Sequence, residues 1–240
     1  MKISVAQTKP AKGDIKTNIE NHKKLIHEAI SHTADIIIFP ELSLTVYEPH
    51  LAKELATTKD DARLDDFQKI SDRNTITIGV GLPTKSNAGL HISMIIFQPK
   101  QPRQIYSKKY LHSDEYPFFV SGDNLTSLKV NNINTALAIC YELSVPEHSE
   151  NAFRNGAQLY IASSAKTVNG VEKAEKSLSD IARKYAVPVL MSNCIGPNDD
   201  FIGAGKTSVW DNKGNLLAQL DDKTEGLLIY DTVSHEVTKM

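Results

Sequence analysis

The chain has 240 residues, 40% of them apolar and 23% charged, with only 12 glycines and 10 prolines. That excludes disordered and fibrous classes and leaves ample length for a buried core. The formal net charge of −2 gives no basic footprint for nucleic acid.

In chain order, Ile3 to Gln7 reads as a strand. Asp14 to His32 reads as a helix, with apolar residues recurring at steps of three and four. Asp35 to Phe39 is a buried strand ended by Pro40. Leu64 to Arg73 is a helix, Thr75 to Leu82 and His91 to Gln98 are strands, and Gln104 to Ser107 is a short one. Asn134 to Cys140 is a strand, followed by the helix-like stretch Pro146 to Asn155. Gln158 to Ser163 is a strand, and Glu172 to Tyr185 a helix halted before Pro188. Val189 to Asn193 and Thr207 to Trp210 are strands. The Asn212-Lys213-Gly214 turn leads into Asn215 to Leu220, and Leu227 to Asp231 closes the series. Strand–helix alternation argues an α/β fold, and the hairpins make its sheets mixed. A single domain over 1–240 is expected.

No stretch reaches the roughly 18 apolar residues of a membrane span. The N-terminus, MKISVAQTKP, lacks the long apolar core of an export signal, so a cytoplasmic location is expected. Cys140 and Cys194 then read as reduced thiols.

Three strand ends carry chemistry. Glu41 follows a fully apolar strand, and a carboxylate beside apolar walls can act as a general base near neutral pH. Cys140 ends a buried strand ahead of a helical stretch, which is the arrangement of a nucleophile elbow. Such a turn also offers the next backbone N–H to an oxyanion. Tyr106-Ser107-Lys108-Lys109 places a lysine just past a short strand, where an ammonium can stabilise a thiolate and a developing oxyanion. Each has an ordinary alternative: a solvated loop acid, an inert core thiol, a surface lysine.

Their order, Glu, Lys and Cys with separations of 67 and 32 residues, resembles the nitrilase superfamily of carbon–nitrogen hydrolases. Phe39-Pro40-Glu41 with Tyr47 is similar to the family's glutamate motif. Lys108, Leu111 and Glu115 match a K-x-x-L-x-x-x-E register, which selects Lys108 over Lys109. Phe119 and Gly122 match the step that follows, and Ile139-Cys140-Tyr141-Glu142 with Pro146-Glu147 matches the nucleophile motif. Gly156, Asn193, Gly203, Gly205 and Gly214 follow in family order.

The resemblance implies a four-layer α-β-β-α sandwich with two mixed sheets, commonly paired into a homodimer or higher oligomer. It implies no metal and no organic cofactor. It implies Glu41 as base, Cys140 as nucleophile, Lys108 with the Tyr141 N–H as oxyanion holders, and Glu115 as an auxiliary carboxylate positioning substrate, with Tyr47 at the family's aromatic position. The implied reaction cleaves the C–N bond of a small amide, ω-amide or carbamoyl compound through an acyl-cysteine. Nitrile hydrolysis, acyl transfer to an amine and a non-catalytic metabolite-binding scaffold are the alternatives. Many relatives have Asp where this chain has Glu142 and an aromatic residue at the place of Val145.

Outside these motifs, a cysteine–histidine pair using His112 or His148 is disfavoured by spacing, and no cluster has zinc-like spacing. Cys194 reads as a core or pocket-wall thiol, Lys166 as able to reach an acidic substrate, and Gly203 and Gly205 as letting a loop approach the active site. No nucleic-acid or membrane partner is expected.

Overall fold

The computed structural model describes residues 1–122 and 128–240. Its first half contains β1 (Lys2–Gln7), α1 (Ile15–Ser31), β2 (Ile36–Ile38), α2 (Ala52–Leu55), α3 (Asp65–Asn74), β3 (Thr77–Ser86), β4 (Gly89–Phe97) and β5 (Gln104–Ser107). Its second half contains β6 (Leu128–Val130), β7 (Ile133–Ile139), α4 (Pro146–Arg154), β8 (Leu159–Ser164), α5 (Val168–Tyr185) and β9 (Val189–Asn193). There follow β10 (Ile195–Pro197), β11 (Ile202–Ala204), β12 (Ser208–Trp210), β13 (Leu216–Gln219), β14 (Gly226–Asp231) and β15 (Val237–Lys239).

Two large sheets result. One runs β15-β14-β1-β2-β3-β4-β5 and the other β13-β12-β9-β8-β7-β6; β10 and β11 form a separate pair. β1, β2 and β3 pair in parallel, as do β7, β8 and β9, while the flanking strands are antiparallel. Both sheets are therefore mixed.

The layering follows from side-chain alternation. Ile36 and Ile38 of β2 face inward and join Leu137 and Ile139 of β7 and Ile161 of β8 in one core between the sheets. Ile37 faces outward, into a second core with Ile19 and Ile26 of α1 and Phe67 of α3. On the far side, Ala136, Ala138, Tyr160 and Ala162 pack against Val171, Leu178 and Ile181 of α5. The order is helix, sheet, sheet, helix.

Local chemistry sets the boundaries. The Asp14 carboxylate caps α1 by accepting from the Thr17 N–H at 3.0 Å. Helix α5 begins at Val168 rather than the expected Glu172, because the Thr167 hydroxyl caps it by accepting from the Gly170 N–H at 3.1 Å. Thr75 is not in a strand: at φ +57° it ends α3, and β3 starts two residues later. The helical stretch after Cys140 is interrupted. A 3-10 turn spans Cys140–Ser144, and α4 starts at Pro146, as its sequence predicts. Val145 between them is extended, as the residue before a proline prefers. No helix among the described residues is long and apolar enough to cross a membrane.

Candidate active site

Strand ends from both sheets converge on one buried cluster. Glu41 follows β2 through Phe39 and Pro40, and Lys108 directly follows β5, both on the first sheet. Cys140 directly follows β7, on the second sheet. Glu41, Lys108 and Glu115 are at most 2% exposed.

Lys108 Nζ donates to Glu41 Oε1 at 2.8 Å and to Glu115 Oε1 at 2.6 Å. The Tyr47 hydroxyl donates to the same Glu115 oxygen at 3.1 Å, and the His112 N–H to Glu115 Oε2 at 2.8 Å. Lys109 turns away, its ammonium 5.6 Å from the Tyr110 ring centroid. The structure thus brings together Glu41, Lys108, Glu115, Tyr47 and Cys140.

Two close backbone approaches hold the carboxylate and the lysine in place. Gly81 of β3 lies under the Glu41 turn, where a Cβ would sit 2.5 Å from both Pro40 O and Leu42 N. Gly122 crosses the end of β5, donating to Lys108 O at 2.8 Å. A Cβ there would lie 2.3 Å from Ser107 O. Behind Glu41, the His22 ring stacks on Phe39 at 4.0 Å. Its Nδ1–H donates to Asn18 O at 2.7 Å, leaving Nε2 to accept from Ser43 Oγ at 2.9 Å. Burial pushes His22 down to about 3, so the ring is neutral.

Cys140 has φ +46°. A left-handed non-glycine residue is costly and lifts the side chain out of the strand direction, as at a nucleophile elbow. Its Sγ is 3.8 Å from Ala165 O, a weak hold on the thiol proton. Burial and the nearby Glu41 charge raise the thiol pKa, while Lys166 and Lys108 pull it down. Burial also raises Glu41, opposed by the Lys108 charge and aided by Glu115. For Lys108, burial works to lower the pKa, but Glu41 and Glu115 outweigh it and hold the ammonium charged. Glu41 Oε2 is buried with no hydrogen-bond donor among the described residues. The cluster therefore sets the Cys140 thiol near a Glu41 oxygen that no other group among the described residues holds.

Tyr141, the other expected substrate-binding residue, is 37% exposed, with its ring edge-on to His112 at 5.1 Å between centroids. Its backbone N–H lies in the first turn of the 3-10 segment, where no earlier carbonyl of the turn can take it. Neither histidine pairs with sulfur. His112 contacts Asp114, and His148 bonds to the Tyr106 and Tyr160 hydroxyls. Cys194 is buried, with its thiol pushed up to about 12, and packs in the central core. The loop of Gly203 and Gly205 reaches the turn beside the sulfur, where the N–H of Ala204 between them donates to Lys166 O at 2.9 Å. Their close approaches are to the Cys194 and Asp221 backbones. Among the described residues no group of three or more His, Cys, Asp or Glu side chains is placed to hold a metal.

Sequence reasoning passed over several supports. Asn193, noted only for its place in order, accepts from the Lys166 N–H at 2.9 Å and donates to Gly205 O at 2.6 Å, fixing the turn beside the sulfur. Asn198 Oδ1 accepts from the Tyr47 N–H at 3.3 Å. The packing of Asn18, His22 and Ser43 behind Glu41 leaves no local sequence signal.

The carbon-nitrogen hydrolase sequence profile matches residues 2–240. The chain belongs to the carbon-nitrogen hydrolase family. Within it, the chain is 24% identical to the 2-oxoglutaramate amidase of Bacillus subtilis (strain 168) over 230 residues, which cover 94% of this chain and 88% of that protein. It is 26% identical over 242 residues to the glutamine-dependent NAD(+) synthetase of Aquifex aeolicus (strain VF5). That match covers 95% of this chain but 41% of the synthetase, so this chain spans about two fifths of that relative's length. Among solved structures, a mutant of the amidase from Nesterenkonia sp. AN1, carrying the product of Michael addition of acrylamide at its active-site cysteine, superposes with a TM-score of 0.88. It is 21% identical, covering 98% of this chain and 94% of that one. The two share the α-β-β-α sandwich fold.

Proposed function

We propose that this carbon-nitrogen hydrolase cleaves a small amide through a covalent acyl-cysteine. The observation that carries the reading is the divided carboxylate of Glu41, with one oxygen bonded to Lys108 and the other, held by no other donor among the described residues, close to the Cys140 thiol. In the first half-reaction Glu41 takes the thiol proton and sulfur attacks the carbonyl carbon. The oxyanion is held by Lys108 Nζ and the Tyr141 N–H. Glu41 returns the proton to the departing nitrogen, the C–N bond breaks, and ammonia or an amine leaves a thioester. In the second half, Glu41 deprotonates water, which attacks the thioester and frees the acid and the thiol. Glu115 and the Tyr47 hydroxyl orient Lys108 and the bound amide.

We further propose that the preferred amide bears a carboxylate. Lys166 is partly buried, immediately follows the Ala165 carbonyl that meets the sulfur, and bears on the thiol electrostatically. The names of the two curated relatives above specify glutamine and 2-oxoglutaramate, both ω-amides carrying a carboxylate.

The test is ammonia release from a panel of ω-amides, neutral aliphatic amides, carbamoyl amines and nitriles, alongside Cys140→Ala. Release by the wild type alone, highest on ω-amides of carboxylic acids, supports both proposals. Release only from neutral amides removes the carboxylate preference, and equal release by Cys140→Ala removes the mechanism.

A further inference from the structure

Glu142 lies two residues beyond the nucleophile and is fully buried. The nearest cation candidate among the described residues is His148, whose Nε2 is 3.8 Å from Glu142 Oε2. Burial depresses the His148 pKa, and its two ring nitrogens are otherwise engaged. The carboxylate is instead surrounded by neutral donors. Oε1 accepts from the Lys109 N–H at 2.7 Å and the Tyr110 N–H at 3.3 Å. Oε2 accepts from the Ile139 N–H at 2.8 Å and the Tyr106 hydroxyl at 2.7 Å.

Those donors belong to two catalytic segments. Lys109 and Tyr110 continue directly from Lys108, and Tyr106 stands two residues before it. Ile139 immediately precedes Cys140. We propose that Glu142 is a positioning residue that fixes Lys108 relative to Cys140, by fastening the lysine segment and the nucleophile elbow to a single buried carboxylate.

A directed chain of hydrogen bonds supports this. The Tyr106 hydroxyl donates to Glu142, so its oxygen accepts from His148 Nε2–H at 2.9 Å. His148 Nδ1 then accepts from the Tyr160 hydroxyl at 2.8 Å. With Glu142 as the terminal acceptor, every donor in the chain can point toward it. Tyr160 sits on β8, and Tyr106 on β5, so the chain crosses from the second sheet to the first.

Glutamine cannot reproduce this. Its amide has one acceptor oxygen and one donor NH2, and either orientation sets the NH2 against a backbone N–H. The inference rests on the proposed amide hydrolysis for its turnover readout only, since alkylation of Cys140 reports the site without any substrate.

The experiment compares Glu142→Gln, Glu142→Asp and Tyr106→Phe with the wild type. It measures kcat and KM on an amide the wild type turns over, the rate of Cys140 alkylation by iodoacetamide between about pH 6 and 9, and Tm. Glu142→Gln is expected to lose about 100-fold in kcat with KM within about threefold, because misplacement of a catalytic group acts on the reacting geometry. Its alkylation pH profile should shift. Glu142→Asp, which keeps the charge, should recover about tenfold of that loss. A folded Glu142→Gln with kcat within about threefold of wild type and an unmoved alkylation profile overturns the proposal. Should Glu142→Gln fail to fold, Tyr106→Phe decides. A drop in kcat of about threefold or more at constant KM supports the inference, and an unchanged kcat overturns it. A wild type that releases no ammonia refutes the functional reading instead, and the alkylation profiles then judge Glu142 alone.

Discussion

Lys108 Nζ donates to Glu41 Oε1 at 2.8 Å, with both side chains entirely out of solvent. A buried ion pair of this kind is weak evidence of stability, since desolvation offsets much of the attraction. Its value lies in chemistry. The ammonium occupies one oxygen of Glu41 and leaves the other open, while Glu115 on the same nitrogen keeps the lysine charged.

The pair fixes which lysine matters. Lys108→Ala should lower kcat by about 10²–10³-fold, the usual cost of removing an oxyanion donor. Lys109→Ala should stay within about threefold of wild type, because Lys109 gives the site only its backbone. Steady-state kinetics on the best amide checks this, and the reverse ranking would refute the assignment.

Glu41→Gln removes the proton acceptor but preserves the side-chain volume. The thiol, whose pKa is already raised by burial, should then react slowly near pH 7. We expect iodoacetamide labelling of Cys140 to fall by about tenfold or more and turnover to fall by about 10²–10⁴-fold. Mass spectrometry of the labelled cysteine separates Cys140 from buried Cys194. A wild-type labelling rate would mean another group is the base.

His22 makes a pH prediction. Its folded pKa, about 3, is depressed from the ordinary 6.5 by burial. A group with a depressed folded pKa contributes stability that is complete above its unfolded pKa and is lost as pH falls toward the folded one. Between about pH 6 and 4 the unfolded chain therefore binds one more proton at this site, which costs up to about 1.4 kcal/mol per pH unit. Urea unfolding across that window should show a flatter slope for His22→Gln than for wild type. Parallel slopes would show that His22 does not couple to unfolding.

Gly81→Ala tests the floor of the Glu41 turn. The new methyl would press on Pro40 O and Leu42 N, which are backbone atoms and cannot rotate aside. Overpacking of this kind costs about 1–3 kcal/mol. Chemical denaturation should register that loss, and activity should fall further than stability alone explains because Glu41 is displaced.

Much of this site was legible in the sequence because its parts sit at the ends of conspicuous strands. The run Ile36-Ile37-Ile38 announces a buried strand, and Glu41 follows it; Ala136 to Ile139 does the same for Cys140. The four-layer sandwich came from the family resemblance, and the mixed sheets from the hairpins. What escaped depends on side chains distant in sequence. Glu142 reads only as a member of the nucleophile motif, and nothing local says that Tyr106, 36 residues earlier, donates to it. His148 reads only as a helical residue badly spaced to pair with Cys140, and nothing local says that Tyr106 and Tyr160 close over its two nitrogens. The pair β10 and β11 escaped because Pro197 to Asp200 carries only turn residues, and α5 began early because one threonine hydroxyl satisfies its first turn.

Because Glu41 and Lys108 ride on one sheet while Cys140 and Ala165 ride on the other, the cluster works as a latch across the central core. Its two sides are joined by packing and by side-chain hydrogen bonds, such as Tyr106 to Glu142 and Ser163 to Phe39 O. Loosening that core by an ångström would part the sulfur from its proton acceptor while leaving every strand hydrogen-bonded within its own sheet. Catalysis should then vanish at lower denaturant than far-UV circular dichroism, making turnover a sensitive gauge of how tightly the two halves of the sandwich are pressed together.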